Sequence, residues 1–315
     1  MVVPSAITPC RPRGRKRMAA SYVLTLCAAV VATICLVAMA APGRAVAAET
    51  ALPPVPASCN AIQAKYPGLR GKTLVDALTP HTPGYEALDP QDPSHYIGFD
   101  VDLAEELGAC LGFKVTYKPV AFAALLTTLQ SGQADIVISD IYATKERAKA
   151  ADFITYSKVF DGVLVVKGNP KHITGINTSL CGDAAAENTG FVEVPLVQNL
   201  DPVCKKAGKP APTLQLYDNN ADCVQAILAG RADTYINDVN TVDQAVKAYP
   251  DKLAKAVAVT LPYSVGIAVR KTDHELRDGV VAALTALQKA GIEVTLLNKW
   301  SLGAGHQEAP HLLTD

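Results

Sequence analysis

The apolar positions of this chain follow two alternating periods from about residue 71 onward. Leu103, Leu107 and Leu111 recur at every fourth position, which places them on one face of a helix. Between such segments stand short apolar or alternating runs, typical of strands. The predicted order is a strand within residues 71–78, a helix at 100–111, a strand at 115–117, a helix at 122–129, a strand at 134–138 and a helix at 144–151. Alternation of strands and helices predicts βαβ units, an α/β fold and mainly parallel sheets.

One local pattern occurs twice, at an offset of 98 residues. Residues 129–140 read LQSGQADIVISD and residues 227–238 read ILAGRADTYIND. Each copy predicts a helix end, a glycine that closes the helix, a short buried strand, and an aspartate where the strand ends, Asp140 or Asp238. Ligands of open α/β sheets bind beyond the carboxyl ends of the strands, so two similar facing lobes would direct both carboxylates at one cleft. A common helix–turn–strand pattern with two solvated aspartates is the alternative.

The chain starts with a pattern typical of an export signal. Five basic residues within positions 11–17 precede an uncharged stretch over 18–43, and Ala-Val-Ala at 45–47 matches the small-x-small pattern of a signal peptidase site. We expect cleavage before Ala48, then a Pro- and Ala-rich tail over residues 48–70. An uncleaved membrane anchor is the alternative, because the apolar stretch exceeds a usual signal core. The protein is therefore expected in the periplasm or at the extracytoplasmic cell surface.

Removal of the signal changes the size and charge of the chain. Residues 1–47 contain six of the 29 basic residues and none of the 30 acidic ones, so the remaining 268 residues carry a net charge of −7. That length favours two lobes over a single core. Because no basic patch with interleaved aromatic residues occurs, we expect no nucleic-acid partner. We expect a monomer without a cofactor or metal.

Five cysteines follow the signal: Cys59, Cys110, Cys181, Cys204 and Cys223. None lies in a CxxC pair or at metal-ligand spacing from a histidine. An oxidising compartment predicts disulfides, but the odd number leaves at least one thiol unpaired. Cys223 stands in an apolar helical stretch and is expected to be a buried thiol. The pairing of the others stays open at this point.

Several stretches together resemble the amino-acid type, family 3, of the periplasmic solute-binding proteins that serve ABC importers. They are GFDVDL at 98–103, FAALLTTLQSGQAD at 122–135, ATKER at 143–147, DF at 152–153, LVVK at 164–167, GRAD at 230–233, VGIAVRK at 265–271 and NKW at 298–300. No single stretch is specific to this family, but the order and spacing of all the stretches together are. The resemblance implies an importer component that closes two lobes around a small polar solute carrying a carboxylate, an amino acid or a relative, and presents it to an ABC permease.

The resemblance also implies where the lobes begin and end. The chain should cross between them near residues 166–170 and 261–266. Lobe one would then combine residues 71–167 with 266–315, and lobe two would comprise residues 168–262.

Two charged residues receive ligand-binding roles from the resemblance. Relatives with a matching Thr-x-x-Arg use the arginine for the ligand's α-carboxylate, which implies this role for Arg147, on a helix that Thr144 caps. A surface arginine paired with Glu146 or Asp152 is the alternative. The position after the GRAD strand commonly carries an acid that binds the ligand's ammonium, which implies that role for Asp238.

Five further residues are assigned to the ligand site. Phe122 matches an aromatic that lines the side-chain pocket, with a core position as the alternative, and Tyr85 matches a second lining position. Ser139, Asp140 and Tyr142 belong to the segment before Thr-x-x-Arg. Relatives carry Ser, Gly or Asn at the position of Asp140, and Thr or Ser at that of Tyr142. Asp140 bonded only to nearby backbone amides is the alternative to ligand contact.

The second lobe departs from the family in the same direction. Relatives offer Gly-Thr-Thr where this chain reads GFV at 190–192. The pocket therefore loses small hydroxyls and gains a phenol, a phenyl and a carboxylate. This favours a ligand with an extra cationic or donor group, or one that is not a simple α-amino acid. Cys181 and Cys204 flank the changed segment, and the resemblance implies a disulfide between them.

An enzyme on the same fold, such as a cyclohexadienyl-dehydratase-like protein, is the rival function. Asp140, Glu86 or Tyr142 could serve as its acid or base. None of the six histidines after the signal falls within a matched site motif. We therefore expect a binding protein and no catalytic residues.

Overall fold

Hydrogen bonds between strands assemble two large sheets and one two-stranded sheet in the computed structural model, which describes residues 52–315. The strands are β1 (Thr73–Leu78), β2 (Ala87–Leu88), β3 (Tyr96–Ile97), β4 (Lys114–Pro119), β5 (Ile136–Val137), β6 (Tyr142–Ala143), β7 (Asp152–Lys158), β8 (Asp161–Val166), β9 (Ala184–Asn188), β10 (Thr213–Tyr217), β11 (Thr234–Asp238), β12 (Leu253–Val259), β13 (Ser264–Val269) and β14 (Leu312–Leu313). The first sheet has the order β14–β7–β13–β5–β1–β4, with β6 also paired to β13, the second has the order β10–β9–β11–β8–β12, and β2 and β3 form the two-stranded sheet. The export signal predicted for residues 1–47 and its cleavage site before Ala48 lie outside the described residues.

Helices connect these strands and pack on the sheets. They are α1 (Ser58–Lys65), α2 (Phe99–Leu111), α3 (Leu125–Gln130), α4 (Lys145–Ala148), α5 (Glu193–Gln198), α6 (Asp201–Lys206), α7 (Asn220–Leu228), α8 (Val239–Ala248), α9 (His274–Lys289) and α10 (Ile292–Lys299). The predicted stripe Leu103, Leu107 and Leu111 is the buried face of α2. Within residues 52–315, no single helix is long and apolar enough to cross a membrane, whereas α9 and α10 together reach that length and composition across a bend of 77°.

The two-lobed α/β fold expected from the sequence is confirmed, but its sheets are mixed rather than mainly parallel. The strands of the predicted βαβ units pair in parallel: β1 with β4 and β5, and β9 with β10 and β11. The strands next to the lobe crossings pair antiparallel, β8 with β11 and β12, and β13 with β5, β6 and β7. Each sheet therefore joins a parallel part to an antiparallel part.

The first lobe crossing lies earlier than the predicted residues 166–170. The chain leaves the first sheet at the end of β7 and enters the second at the start of β8, so the crossing occupies residues 159–160. Strand β8 had been placed in lobe one, but it pairs with both β11 and β12 near the middle of the second sheet. Its apolar run fits either sheet equally well, and long-range pairing decides between them.

The second crossing, between β12 and β13, occupies residues 260–263 and overlaps the predicted position. The strands of lobe two thus all lie within residues 161–259, and those of lobe one lie before and after that segment.

The predicted tail at residues 48–70 is in part a helical segment of lobe one. It contains α1 and a 3-10 helix at Pro67–Leu69. Cys59 of α1 forms a disulfide with Cys110 of α2, and Leu69 is buried in the core. Helix α1 has little amphipathic patterning of its own, so its place depends on the disulfide and on packing.

The second disulfide joins Cys181 and Cys204 and confirms the pairing implied by the resemblance. Cys223 is buried and unpaired, as expected, among the residues described. The Cys181–Cys204 bond ties the segment just before β9 to α6 inside lobe two.

Loss of each disulfide should lower the free energy of unfolding according to the loop that the bond closes. The sequence separation is 23 residues for Cys181–Cys204 and 51 for Cys59–Cys110. We expect the double serine variants to lose about 3 and about 4 kcal/mol respectively, because the unfolded chain regains loop entropy. Denaturant unfolding measures both losses, and a smaller loss for the Cys59–Cys110 variant would contradict the ranking.

The repeated sequence segment makes the same hydrogen bonds in both lobes. The carboxylate of Asp135 accepts the backbone N–H of Val75 at 2.9 Å, and Asp233 accepts that of Ala184 at 2.9 Å. Each aspartate also donates its own N–H to the carbonyl of the same partner. This reciprocal pair of hydrogen bonds fixes the start of the strand that follows. The strands that lead to Asp140 and Asp238 are therefore held in the same way in the two lobes.

Candidate functional site

The facing surfaces of the two lobes meet through a small set of contacts, and we call the space that these surfaces enclose the cleft. The contacting pairs, lobe one first, include Arg147 Nη2–Gly190 O (2.9 Å), Tyr142 OH–Asp161 Oδ1 (3.1 Å), His81 O–Asn220 Nδ2 (3.1 Å) and the rings of Phe122 and Phe191 (4.3 Å between centroids). Gly190 has a φ of +86°, and a Cβ there would lie 3.1 Å from the Cβ of Ala123. The lobes therefore come into contact at a residue where the positive φ and the short distance to the other lobe both favour glycine.

Arg147 lies at the cleft, where its guanidinium contacts backbone carbonyls instead of a surface acid. The Thr144 hydroxyl caps α4 by accepting the N–H of Arg147 at 3.1 Å. The guanidinium donates to the Tyr142 carbonyl at 2.8 Å and lies over the Phe122 ring, 5.3 Å from its centroid. Burial lowers the pKa of Arg147 to about 10.

The alternative partners proposed for Arg147 are engaged elsewhere. Glu146 pairs with Lys149 at 2.5 Å, and Asp152 pairs with Arg277 at 3.1 Å. The surface-arginine interpretation is therefore wrong.

Asp238 ends β11 and caps α8. It is buried, and its Oδ1 accepts the N–H of Asn240 at 2.8 Å. Asp238 also stands directly opposite Asp161 in the antiparallel β8–β11 ladder. Burial, followed by the charge of Asp161, raises the pKa of Asp238 to about 7. Near neutral pH this carboxyl therefore gains or loses a proton readily.

Asp140 occupies an unusual backbone conformation between β5 and β6. Its φ is +41°, a region that residues other than glycine seldom adopt. Its N–H donates to Asp100 Oδ2 at 2.6 Å, and the Tyr156 hydroxyl donates to Asp100 Oδ1 at 2.6 Å, so the turn is fixed from within lobe one. The Asp140 carboxyl is buried, and burial and the charge of Asp238 raise its pKa. The charge that acts on Asp140 therefore belongs to a residue of the opposite lobe.

The phenol of Tyr142 lies among several buried carboxyl groups. Its hydroxyl donates to Asp161, and its pKa is raised by burial and then by the charges of Asp161, Asp140, Asp238 and Glu193. Asp161 and Glu193 are themselves buried, and mutual repulsion adds to burial in raising the pKa of Asp161. We call these four acids, Asp140, Asp161, Glu193 and Asp238, the carboxyl cluster.

The remaining predicted residues lie at different depths. Phe122 is partly buried, contacts Arg147 and Phe191, and also packs against the core, while its role in lining the ligand pocket stays a prediction. Tyr85 is fully buried, with its hydroxyl 3.4 Å from Ser157 Oγ and 3.3 Å from His306 Nδ1. Ser139 is also fully buried.

Ser139 serves the interior of lobe one. Its hydroxyl accepts the N–H of Thr79 at 2.9 Å and donates to Glu86 at 3.4 Å. Direct ligand contact by Ser139 stays a prediction.

Sequence reasoning missed Asp161, Glu193 and His81. The His81 ring lies 5.7 Å from Phe122 and 5.3 Å from Phe191, and burial lowers its pKa to about 4. This loop has no periodic pattern that could have identified the histidine. Asp161 lacks the feature that identified Asp140 and Asp238, because it begins β8, whereas those two acids stand where a strand ends.

Two cavities open at the lobe boundary. One, of about 750 Å³, lies beside Arg147 and is lined by residues that include Thr144, Gly190, Phe191 and Tyr263. The other, of about 600 Å³, lies between the His81 loop and helices α7 and α8. Either has room for a molecule of amino-acid size.

Comparison with known proteins identifies the chain's relatives. The L-cystine-binding protein TcyJ of Escherichia coli (strain K12) is 29% identical over 211 residues, which cover 66% of this chain and 76% of that protein. The solved structure of an ancestral arginine-binding protein bound to arginine matches with a TM-score of 0.65 and 31% identity, over 74% of this chain and 99% of that chain. An ancestral amino acid-binding protein, a precursor of cyclohexadienyl dehydratase, matches with a TM-score of 0.57 and 26% identity, over 77% of this chain and 99% of that one.

The family model for bacterial extracellular solute-binding proteins, family 3, matches residues 74–303. This range includes both sheets apart from the first residue of β1 and the edge strand β14, and every residue of the cleft named above. The chain belongs to family 3 of the bacterial extracellular solute-binding proteins.

Proposed function

We propose that this protein is the extracytoplasmic component of an ABC importer that captures an amino acid, or a closely related solute, by closing its lobes. One observation carries the proposal: a guanidinium of lobe one and a carboxyl of lobe two, Arg147 and Asp238, both lie at the contacts between the lobes. Arg147 bonds to Gly190 of lobe two, and Asp238 stands opposite Asp161, which accepts the hydroxyl of Tyr142 from lobe one. The charges of Arg147 and Asp238 complement an α-carboxylate and an α-ammonium. The cystine and arginine bound by two relatives each carry both groups.

The proposed capture follows from the chemistry of the two side chains. Arg147 presents a planar fork of donors that suits a carboxylate. Its present acceptors, the carbonyls of Tyr142 and Gly190, are neutral, so a ligand carboxylate would be the stronger partner. Asp238 supplies the countercharge for the ammonium. Because the two groups belong to different lobes, a ligand that binds both favours the closed arrangement, which is the form that a permease would recognise.

We infer binding without catalysis. The acids that an enzyme could use are engaged inside the protein: Glu86 accepts from Ser139, and Tyr142 donates to Asp161. The N–H of Asp140 donates to Asp100, and its carboxyl lies in the carboxyl cluster. Burial raises the pKa of this carboxyl and so favours its neutral form.

Calorimetry with the standard amino acids, ornithine and citrulline is the direct test. We expect at least one to bind with a Kd of about 1 µM or below, and to be recovered chemically unchanged after long incubation. Small-angle scattering at saturation should give the mass of a monomer and a smaller radius of gyration than without ligand. Failure of every compound to bind, or conversion of the bound compound into a product, would contradict the proposal.

A further inference from the structure

The segment that follows α10 runs along the strand that leads to the first lobe crossing. We call residues 303–313 the clasp segment. Its Glu308 N–H donates to the carbonyl of Tyr156 at 3.0 Å, and its strand β14 pairs with β7. The side chain of Gln288 on α9 donates to the carbonyl of Glu308 at 2.7 Å. The clasp segment is therefore fixed to lobe one along β7, which ends where the crossing at residues 159–160 begins.

His306 of the clasp segment contacts both the crossing and a buried tyrosine of lobe one. It is 8% exposed, and its ring meets the ring of Phe160, a residue of the crossing, edge to face with 5.0 Å between centroids. Its Nδ1 lies 3.3 Å from the hydroxyl oxygen of Tyr85, whose ring packs edge to face on Phe99 with 6.0 Å between centroids. A row of aromatic side chains in contact thus runs from the core of lobe one to the crossing.

Phe160 is at the same time bonded to lobe two. Its carbonyl accepts the N–H of Val239 at 2.8 Å, and Val239 is the first residue of α8, the helix that Asp238 caps. One crossing residue is therefore held by its ring to the clasp segment and by its carbonyl to the helix that follows Asp238. Because a hinge motion changes the backbone angles of a few residues between the lobes, contacts that fix Phe160 oppose that motion.

The clasp segment from residue 304 onward lies outside residues 74–303, which the family model matches. The contacts of this segment in this protein are therefore the evidence for its role.

We propose that His306 is a positioning residue for lobe closure, because its ring holds Phe160 in the conformation found when the lobes are in contact. This inference rests on the proposed function and deepens it, since lobe closure is the step that His306 affects. An edge-to-face aromatic pair stabilises the arrangement in which it forms. Loss of the ring should therefore shift the population toward the open arrangement, although His306 lies outside the lobe contacts of the cleft.

Three substitutions at position 306 separate the ring contact from the contact with Tyr85. His306→Ala removes both and should weaken binding about tenfold, through faster dissociation, as expected for the loss of one aromatic pair. His306→Phe keeps a ring against Phe160 and should restore most of the affinity. His306→Asn can still bond to the Tyr85 hydroxyl but has no ring, so it should bind as weakly as His306→Ala. Calorimetry and stopped-flow kinetics measure these effects with the standard amino acid, ornithine or citrulline that binds the wild-type protein most tightly.

Hydrogen exchange of the ligand-free protein tests the same contact without any ligand. The amide of Val239 should exchange about tenfold faster in His306→Ala and His306→Asn than in the wild-type protein, because its acceptor on Phe160 is held less firmly. His306→Phe should restore the slow exchange. The matched control is His311→Ala, which removes an exposed histidine of the same segment and should change neither affinity nor exchange. Thermal unfolding of each variant verifies the fold.

The failure of this inference differs from that of the proposed function. Wild-type affinity in His306→Ala, or wild-type exchange at Val239, would overturn the role of His306. An Asn variant that behaved like the wild-type protein, or a Phe variant that behaved like His306→Ala, would overturn the role of the ring. If no compound bound the wild-type protein, the proposed function would fail, and the exchange at Val239 would still decide whether His306 fixes the crossing.

Discussion

Replacement of Arg147 by alanine is expected to weaken ligand binding by at least about 100-fold, because it removes a partly buried bidentate partner of the ligand carboxylate. The fold should survive, since Thr144 still caps α4 and the guanidinium of Arg147 bonds to two backbone carbonyls, with no salt bridge to an acid within residues 52–315. Calorimetry with the best ligand of the amino-acid series gives the affinity, and circular dichroism verifies the fold. Arg147→Lys should retain part of the affinity, because lysine keeps the charge but loses the planar fork.

The matched control is Arg231→Ala. Arg231 is exposed on lobe two and lies over the Tyr217 ring, 6.0 Å from its centroid, away from the cleft contacts. Its removal should leave the affinity unchanged. An Arg147→Ala variant that bound the same ligand as tightly as the wild-type protein would refute the role of this arginine.

Asp238→Asn should cost about 3–5 kcal/mol of binding free energy, because it removes one partner of a buried charge pair. Asparagine caps helices as well as aspartate does, so the hydrogen bond from Asn240 can persist and α8 should remain intact. Calorimetry measures the loss, and thermal unfolding separates it from a loss of stability. A decrease of less than about tenfold in affinity would contradict an ammonium at Asp238.

The pH dependence of affinity and stability, compared between the wild-type protein and the Asp238→Asn variant, tests the role of Asp238 independently. The pKa of Asp238 is raised to about 7, so below that pH the carboxyl must lose a proton before it can accept an ammonium. The affinity of the wild-type protein should therefore fall as the pH decreases from about 8 to about 6. The stability of the ligand-free protein should move the other way: a raised pKa means that the folded state binds the proton more readily, so stability decreases as the pH rises toward 7. The difference between wild type and Asp238→Asn separates Asp238 from Asp140, Asp161 and Glu193, which titrate in both.

The sequence predicted best those features that depend on neighbouring residues. The apolar stripe of α2, the repeated helix–turn–strand segment and the cap at Thr144 all lie within a few turns of chain, and all were found. The predicted helix over residues 144–151 shows where prediction from local patterns fails. It ends at Ala148, because the chain must extend into β7 beside β13.

Features that depend on distant contacts could not be predicted in the same way. Helix α1 lacks an apolar stripe and is fixed by a disulfide to a residue 51 positions away. The first crossing was misplaced because β8 could not be assigned to a sheet without knowing its pairing with β11 and β12. Two members of the carboxyl cluster, Asp140 and Asp238, follow from the repeat. Asp161 stands beside Asp238 only because β8 pairs with β11, and that long-range pairing could not be deduced from the sequence.

The order of strands in the first sheet also constrains how the chain can fold during synthesis. All strands of the second sheet lie within residues 161–259, so that lobe can complete its sheet as soon as this segment is available. Strand β13 comes later in the chain and yet lies between β7 and β5, where Ala268 pairs with Phe153 and with Val137. Lobe one consequently lacks a central strand until its last segment emerges, and pairing across so many residues is slow. A chain that stays incomplete in this way remains without a folded lobe one for longer, which would suit the extracytoplasmic role proposed above.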